Sequence, residues 1–302
     1  MEFGRIDQLT DVSFLMPEDN PANKFTFSDE QIIHRTIYVG LTGWGEKEWL
    51  ANIYPRGTKS TSFLSSYARS FNCVELNSTF YGIPSEKVLK KWIVETPDDF
   101  RFFPKVWRLI SHRSNFGTMD DAFHTYIEML SHLGNRVQAS FLQLPPYFGG
   151  ARTNELASFI SRWPAEHKLF VEFRDREWLD DEPIMDLMQS KGVGLVITDV
   201  AGRRDLLHMR VLSNQAFIRF VASGDPSIDT CRLNQWRERL HDWYEKGLEW
   251  VAFFCHEPVN KAAPDLARTV SRIFNQTDSF NIPKIKDILN YETTQKSIFE
   301  AS

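Results

Sequence analysis

Polar side chains alternate with apolar ones near the ends of seven predicted strands. In the stretch CVELNSTF, Glu75, Asn77 and Thr79 alternate with Val74 and Leu76. Polar residues take similar positions toward the ends of other apolar runs, namely Lys105, Gln143, Glu172, Arg174, Asp199, Arg219 and His256. Because successive side chains of a strand point to opposite faces, these residues are predicted to share one inward-facing side.

Glu75 and Glu172 are predicted to perform acid/base catalysis of the hydrolase or isomerase type. Paired carboxyl groups that flank a ligand serve glycoside cleavage and proton transfer. Lys105, which we also predict to be catalytic, balances the carboxylates together with Arg174 and Arg219, and these cations suit a phosphate or carboxylate group. A small anionic molecule is therefore the predicted ligand. The predicted substrate-binding set also includes Asn77, Gln143, Asp199 and His256.

The alternatives to acid/base chemistry are a metal site and a site without catalysis. Ligand types that metal-dependent isomerases and nucleases use are present at Glu75, Glu172, Asp199 and His256. No His-x-Glu or His-x3-His spacing supports a metal, and the nearby cations oppose a divalent ion, so we predict no metal and no cofactor. Without catalysis, the same residues would capture a small anion or form a self-satisfied ionic layer that plugs the barrel.

The elements that would position these residues alternate regularly along the chain. Eight short apolar runs, from IYVGLTG to WVAFFCH, are separated by amphipathic helical stretches, of which RRDLLHMRVL is the poorest. This count predicts an α/β fold of the (β/α)8, TIM-barrel-like type, in which active sites lie at the carboxyl ends of the strands. A doubly wound open sheet is the alternative, but GLTGWGEKEW only weakly resembles its glycine-rich turn. We predict a barrel over residues 36–275, with an N-terminal arm at 1–35 and a short C-terminal tail at 276–302.

Composition limits the classes of partner. The formal net charge of the 302 residues is -5 and there is no run of Lys or Arg, so nucleic acid is an unlikely main partner. No stretch reaches the roughly 18 apolar residues of a membrane span, and the N-terminus has no signal-peptide pattern. Three scattered cysteines suit a reducing compartment, so we predict a cytoplasmic protein without membrane association. Nothing in the sequence indicates the oligomeric state.

A resemblance to a known family is carried by the motifs GLTGWGEKEW, NIYP, SYARSFNCVELNSTFYGIPSEKVLKKW, TPDDFRFFPKV, FLQLPP and VEFRDREW. Between about residues 38 and 275 the chain resembles the YecE-like family, catalogued as domain of unknown function seventy-two. The resemblance implies a (β/α)8-like barrel but no reaction. It implies functional positions at Trp44, Glu75, Asn77, Tyr81, Lys105, Gln143, Glu172, Arg174 and Trp178.

The aromatic members of this set, Trp44, Tyr81 and Trp178, are candidates for stacking on a sugar or base. The chain departs from the family in two places. Arg219 is followed by FVASGD where the family usually has a His-Gly pair, and the eighth strand ends in FFCHEP where paired asparagines are usual. These departures predict a ligand that differs from that of the relatives, or a loss of activity.

Overall fold

The computed structural model describes residues 8–23, 35–113, 120–277 and 280–282, together with Gly4, Phe116 and Ile285. Strands and helices alternate along this part of the chain, and the predicted α/β class is confirmed. The strands are β1 (Arg35–Gly40), β2 (Cys73–Leu76), β3 (Arg101–Pro104), β4 (Ser140–Gln143), β5 (Leu169–Glu172), β6 (Gly194–Asp199), β7 (Gln215–Val221), β8 (Trp250–His256) and β9 (Phe280–Asn281).

Within the described residues, all strand pairs are parallel. Seven strands form one sheet in the order β4-β5-β6-β7-β8-β1-β9, and β2 and β3 form a second sheet. Backbone hydrogen bonds join the two sheets on both sides: the Glu75 amide donates to the Leu41 carbonyl at 3.0 Å, and the Val106 amide donates to the Phe141 carbonyl at 2.9 Å. The carboxyl ends of β2 and β3 therefore lie beside those of β1 and β4.

The strands are nearly continuous apolar runs because both of their faces are covered. One cluster of buried residues contains strand and helix side chains together. A second cluster, which we call the strand-only cluster, comprises Cys73, Phe103, Ala139, Phe141, Phe170, Val196, Phe217, Trp250, Ala252 and Phe254. Its Phe103 ring, on β3, lies 5.1 Å from the ring of Phe254 on β8 and 5.6 Å from that of Phe217 on β7. The two sheets thus face each other across this cluster.

The α-helices of the described residues are α1 (Phe63–Tyr67), α2 (Ser78–Tyr81), α3 (Glu86–Glu95), α4 (Arg108–Ser111), α5 (Asp120–Leu133), α6 (Thr153–Arg162), α7 (Glu182–Ser190), α8 (Pro226–Glu245) and α9 (Ala263–Phe274). Two of them begin as the sequence rules expect, with an aspartate cap and a proline in the first turn. The Asp181 carboxylate accepts from the Ile184 amide, and Asp225 accepts from the Ser227 and Ile228 amides.

Two elements differ from the sequence prediction. The poor helical segment between β6 and β7 is a 3-10 helix at Ala201–Leu206 that kinks at Arg203, rather than an α-helix. The second strand ends at Leu76, so Thr79 does not continue its alternation; Thr79 lies in α2, where its hydroxyl donates to the Leu76 and Lys105 carbonyls. Both segments turn at the carboxyl end of a strand.

The chain outside the alternation also contacts it. In the described part of the N-terminal arm, the Asp19 carboxylate accepts hydrogen bonds from Arg239 and Trp243 of α8 and from Lys246, which follows the helix. At the other end, β9 pairs with the start of β1, so the predicted tail includes a strand. Of the described helices, none has the length and apolar character that a membrane span requires.

Candidate functional site

A group of polar side chains meets at the carboxyl ends of β2, β3, β4, β5, β7 and β8. We call it the charged cluster; it consists of Glu75, Asn77, Lys105, Gln143, Glu172, Arg174, Arg219 and His256. Most of these residues share the face of the strand-only cluster, because each lies two positions beyond one of its members: Glu75 beyond Cys73, Lys105 beyond Phe103, and Arg219 beyond Phe217. The alternation predicted from the sequence therefore brings these residues together.

Arg219 lies at the centre of the charged cluster. Its Nε is 3.0 Å from Glu75 Oε2 and its second terminal nitrogen is 2.9 Å from Glu75 Oε1, which is a bidentate pair. Its other terminal nitrogen donates to Glu172 Oε2 at 2.5 Å and to Gln143 Oε1 at 3.3 Å. One guanidinium thus bridges the two carboxylates that the sequence predicted to flank a ligand.

Glu75 has further partners on both carboxylate oxygens. The Asn77 amide donates to Oε1 at 2.7 Å, and His256 Nε2 lies 3.0 Å from Oε2. A carboxylate only accepts, so the imidazole carries a proton on Nε2. Burial opposes ionisation of Glu75, but Arg219 and His256 outweigh it and hold the pKa of the carboxyl group well below its usual range. Glu75 is a fully bonded anion.

Glu172 is bonded on both sides by arginines. Besides Arg219, Arg174 approaches it with a terminal nitrogen 2.6 Å from Oε1. Burial again opposes ionisation, and the charges of Arg174, Arg219 and Lys105 lower the pKa of Glu172 below its ordinary value. Both carboxylates therefore remain ionised at neutral pH.

Lys105 differs from the other cations of the cluster. Its side chain is buried, with 3% of the residue exposed, and Nζ donates to Gln143 Oε1 at 3.0 Å. Among the described residues, no carboxylate lies within 4 Å of this ammonium group. Burial, and then the charge of Arg219, lowers the pKa of Lys105 to about 8. The face of the Phe80 ring covers it, with the ring centroid 4.3 Å from Nζ.

His112 and Phe80 adjoin the cluster, although the sequence analysis did not select them. The His112 ring packs edge-on against Phe80 at 4.9 Å, and its Nδ1 lies 2.8 Å from the Ser111 hydroxyl. Burial and then the charges of Lys105 and Arg174 lower the pKa of His112 to about 4. The sequence signal is their place in the segments that follow β2 and β3, since Phe80 lies in α2 and His112 follows α4, and connections at the carboxyl ends of strands carry site residues.

Asp199 does not join the charged cluster, which corrects its predicted placement. It shares the phase of Leu195 and Ile197, and this phase packs against helices. Its Oδ2 accepts from Trp236 Nε1 of α8 at 2.8 Å, and its Oδ1 accepts from Arg232 at 2.7 Å and also from Arg204. Asp199 therefore fastens α8 to β6 on the opposite face of the strand.

The three aromatic candidates lie at the periphery of the site or away from it. Trp178 is buried, stacks on Phe173 at 5.3 Å and donates from Nε1 to the Phe148 carbonyl, so it has a packing role. Trp44 packs edge-on against Trp92 of α3. Tyr81 is 66% exposed, so among the three it is the one available to a large ligand. The described partners of these three side chains lie outside the charged cluster.

The geometry of the carboxylates does not suit a metal ion. Within the described ranges, no group of three His, Cys, Asp or Glu side chains is arranged to hold one. The space between Glu75 and Glu172 is occupied by the guanidinium of Arg219, a fixed positive charge. A divalent cation would have to displace it against the repulsion of Lys105 and Arg174.

Comparisons with known proteins agree on one family. A family model described as "Protein of unknown function DUF72" matches residues 38–287. The chain is 29% identical to the UPF0759 protein YecE of Escherichia coli strain K12 over 256 residues, which cover 78% of this chain and 91% of that protein. It is 30% identical to the UPF0759 protein YunF of Bacillus subtilis over 170 residues, covering 52% and 58% of the two chains.

Solved structures of the family share the fold. A DUF72 family protein of Enterococcus faecalis superposes with a TM-score of 0.65 at 19% identity, covering 83% of this chain and 99% of that one. A DUF72 family protein of Thermotoga maritima gives a TM-score of 0.61 at 20% identity, covering 80% and 98%. With the family model spanning most of the sequence, the chain belongs to the DUF72 family of proteins of unknown function.

Proposed function

We propose that this protein binds a small oxyanion, a phosphate or a carboxylate, in the charged cluster, and that Lys105 exchanges a proton with the bound molecule. The observation that carries the proposal is the environment of Lys105: a buried ammonium group whose described hydrogen-bond partner is a neutral amide. Buried charges in proteins are normally paired, and a ligand that supplies the missing negative charge would pair this one.

The charges of the cluster support an anion. Among the described residues, the cations Lys105, Arg174 and Arg219 face two ionised carboxylates, Glu75 and Glu172, so these five side chains together carry one excess positive charge. Burial lowers the pKa of His256 below the ordinary value of a histidine, so the imidazole is neutral at pH 7. Burying an uncompensated ion costs several kcal/mol. An anion bound beside Lys105 would remove this cost.

Lys105 suits proton transfer better than the carboxylates do. A general acid or base works best when its pKa lies near the working pH, and the pKa of Lys105 is about 8. Both glutamates are bonded by arginines that hold them ionised, which disfavours the general-acid role that the sequence suggested for them. In this account the glutamates position Arg219 and Arg174, and Lys105 remains the titrating group.

The proposal includes the architecture of the site. We propose that β1 to β8 form a (β/α)8, TIM-barrel-like ring with the charged cluster at its carboxyl-end opening. Support comes from the backbone hydrogen bonds between the two sheets, from the bridge that pairs Lys105 with Phe141, and from ring contacts between β3 and β8. We also propose a cytoplasmic location, which suits the free thiols of Cys73, Cys231 and Cys255.

Thermal unfolding with a panel of anions tests the proposal. Phosphate and small carboxylates are expected to raise the Tm of the wild type, and to raise that of Lys105→Met much less. Lys87→Met, which removes an exposed lysine of α3, is the matched control and is expected to respond like the wild type. If no anion in the panel stabilises the wild type, or if all three proteins respond equally, the proposed site is wrong. A binder and an enzyme are then separated by product analysis with the anions that bind.

A further inference from the structure

One polar group on the inward face of β6 has no role in the contacts described so far. Thr198 is 5% exposed and lies two residues beyond Val196, a member of the strand-only cluster. In the parallel ladder it is the register partner of Arg219 on β7. Because register partners point to the same face of a sheet, the Thr198 side chain lies beside the centre of the charged cluster.

The hydroxyl group of Thr198 is buried and lacks a hydrogen-bond partner within the described residues. Buried hydroxyl groups in native proteins nearly always have one, and each exception needs an explanation. Its neighbour in register, Arg219, is a guanidinium, which donates hydrogen bonds and cannot accept them. The Thr198 hydroxyl hydrogen therefore has no acceptor among the described residues, and a ligand oxygen that enters the site could accept it.

Lys105 and Thr198 approach the cluster from different sides. Lys105 follows β3 and Thr198 lies on β6, with β4 and β5 between them in the order of strands. A planar carboxylate presents two oxygens in one direction. A tetrahedral oxyanion presents acceptor oxygens in several directions, so it can accept from donors on separate strands at the same time.

We infer that Thr198 is a ligand-contacting residue that donates a hydrogen bond to a tetrahedral oxyanion, phosphate or sulfate in class, held at the same time by Lys105. The inference rests on the proposed function and narrows it. Thr198 then favours phosphate-type ligands over monocarboxylates, because a tetrahedral ligand has additional oxygens that can accept from the Thr198 hydroxyl while another oxygen pairs with the ammonium group of Lys105.

Calorimetric titration of the full chain with inorganic phosphate and with acetate, in a buffer free of phosphate and sulfate, tests this inference. Thr198→Val keeps the shape of the side chain without the hydroxyl, and is expected to weaken phosphate binding about tenfold. Thr198→Ser keeps the hydroxyl and is expected to bind within a few fold of the wild type. The Tm of ligand-free Thr198→Val is expected not to fall, since the lost hydroxyl has no hydrogen-bond partner among the residues that the structure describes.

Three results would overturn the inference. If Thr198→Val binds phosphate like the wild type, the Thr198 hydroxyl does not contact the ligand. If Thr198→Val also lowers the Tm of the ligand-free protein, the hydroxyl has a structural role instead. If the protein binds acetate more tightly than phosphate, the proposed preference for tetrahedral oxyanions is wrong. Lys105→Met distinguishes failure of the Thr198 contact from failure of the whole proposed site. If Lys105→Met weakens phosphate binding and Thr198→Val does not, only the inference about Thr198 is wrong. If neither variant weakens phosphate binding, the proposed site is wrong as well.

Discussion

Arg219 and Lys105 carry the same formal charge but have different partners in the charged cluster. The planar guanidinium of Arg219 spans two carboxylates with fixed geometry, a task for which arginine is suited. The ammonium of Lys105 is a point charge on a flexible stem, and it lies against Gln143 and the Phe80 ring. This difference is the basis of the proposal that Arg219 holds the cluster together and that Lys105 contacts a ligand.

Removal of Arg219 tests the first of these roles. Arg219→Met leaves two buried carboxylates facing each other, and we expect the free energy of unfolding to fall by about 3–5 kcal/mol, as when one partner of a buried ion pair is removed. Urea unfolding measures the change. The triple variant Glu75→Gln, Glu172→Gln, Arg219→Met removes the stranded charges and is expected to recover part of the loss. A loss below about 1 kcal/mol for the single variant would show that the bridge carries little of the stability.

The pH dependence of stability tests the second role. Burial lowers the pKa of Lys105 to about 8 in the folded protein, whereas the unfolded chain has a lysine pKa of about 10.4. Between these values the unfolded state binds a proton that the native state lacks, so this group makes stability rise with pH. Below pH 8 both states are protonated and the contribution is constant.

The measurable consequence is a difference between two proteins. The free energy of unfolding of the wild type, minus that of Lys105→Met, is expected to increase by about 2 kcal/mol from pH 7.5 to pH 10. Urea unfolding at a series of pH values gives this difference, in which the titration of other groups cancels. A difference that stays flat across this range would mean that the pKa of Lys105 is not lowered.

At the scale of elements, the alternation of side chains along strands predicted most of the site. It places Glu75, Lys105, Gln143, Glu172 and Arg219 on one face of the strands. It is wrong for Asp199, because the alternation alone does not show which of the two phases of β6 faces inward. The phase of Leu195 and Ile197 belongs to the helix-packed face, and only knowledge of which phase packs against the helices separates the two cases.

The link between β6 and α8 gives a prediction at this scale. Asp199→Asn removes the anion that Arg232 and Arg204 share with the Trp236 indole, so we expect a loss of about 3 kcal/mol or more in the free energy of unfolding. The affinity for anions is expected to be unchanged at temperatures at which the variant remains folded. Heat unfolding and titration of the same preparation check both statements. Weakened anion binding in a stably folded Asp199→Asn protein would show that Asp199 contributes to the anion site, contrary to this prediction.

The C-terminal segment shows where sequence patterns are weak. A two-residue strand has too few positions for a periodic signal, so β9 was assigned to a tail. Its pairing with β1 and the contact of Phe280 with Tyr244 join residues that are distant in sequence. The kinked 3-10 segment after β6 was anticipated only as a poor helix, for the same reason.

Phe280 therefore provides a second prediction for the elements. Phe280→Ala is expected to lower the free energy of unfolding by about 3 kcal/mol, since it leaves a cavity beside two aromatic rings. Val94→Ala, at a position 84% exposed, is the control and is expected to change stability by less than about 0.5 kcal/mol. Denaturant unfolding compares the two. Equal, small effects would mean that β9 adds nothing to the stability of the fold.

At the scale of the whole molecule, local charge and total charge have opposite signs. The chain has a formal net charge of -5, yet the group at the carboxyl ends of the strands carries one excess positive charge. This contrast supports the proposal of a small anion as ligand rather than a large polyanion, which the acidic remainder of the chain would repel. The net charge of the whole chain therefore does not predict the sign of the charge in the charged cluster.

The alternation of apolar runs and helices along the chain was sufficient to predict the α/β class, because it depends on many residues at once. The chemistry depends on how a few side chains pair. The sequence could not show that Arg219 bridges both carboxylates, nor that Lys105 has no carboxylate within 4 Å in the described residues, because those facts depend on side-chain reach across the sheet.

The most direct test of the central claim is the pKa of Lys105, measured by NMR on protein labelled with carbon-13 at the lysine ε position. The Lys105 signal is assigned by its absence in Lys105→Met, and the pH is varied from 6 to 11 with and without phosphate. We expect Lys105 to titrate near pH 8 without ligand, and at higher pH with phosphate bound, because an anion stabilises the ammonium form. A pKa above 10 that phosphate does not change would contradict the account.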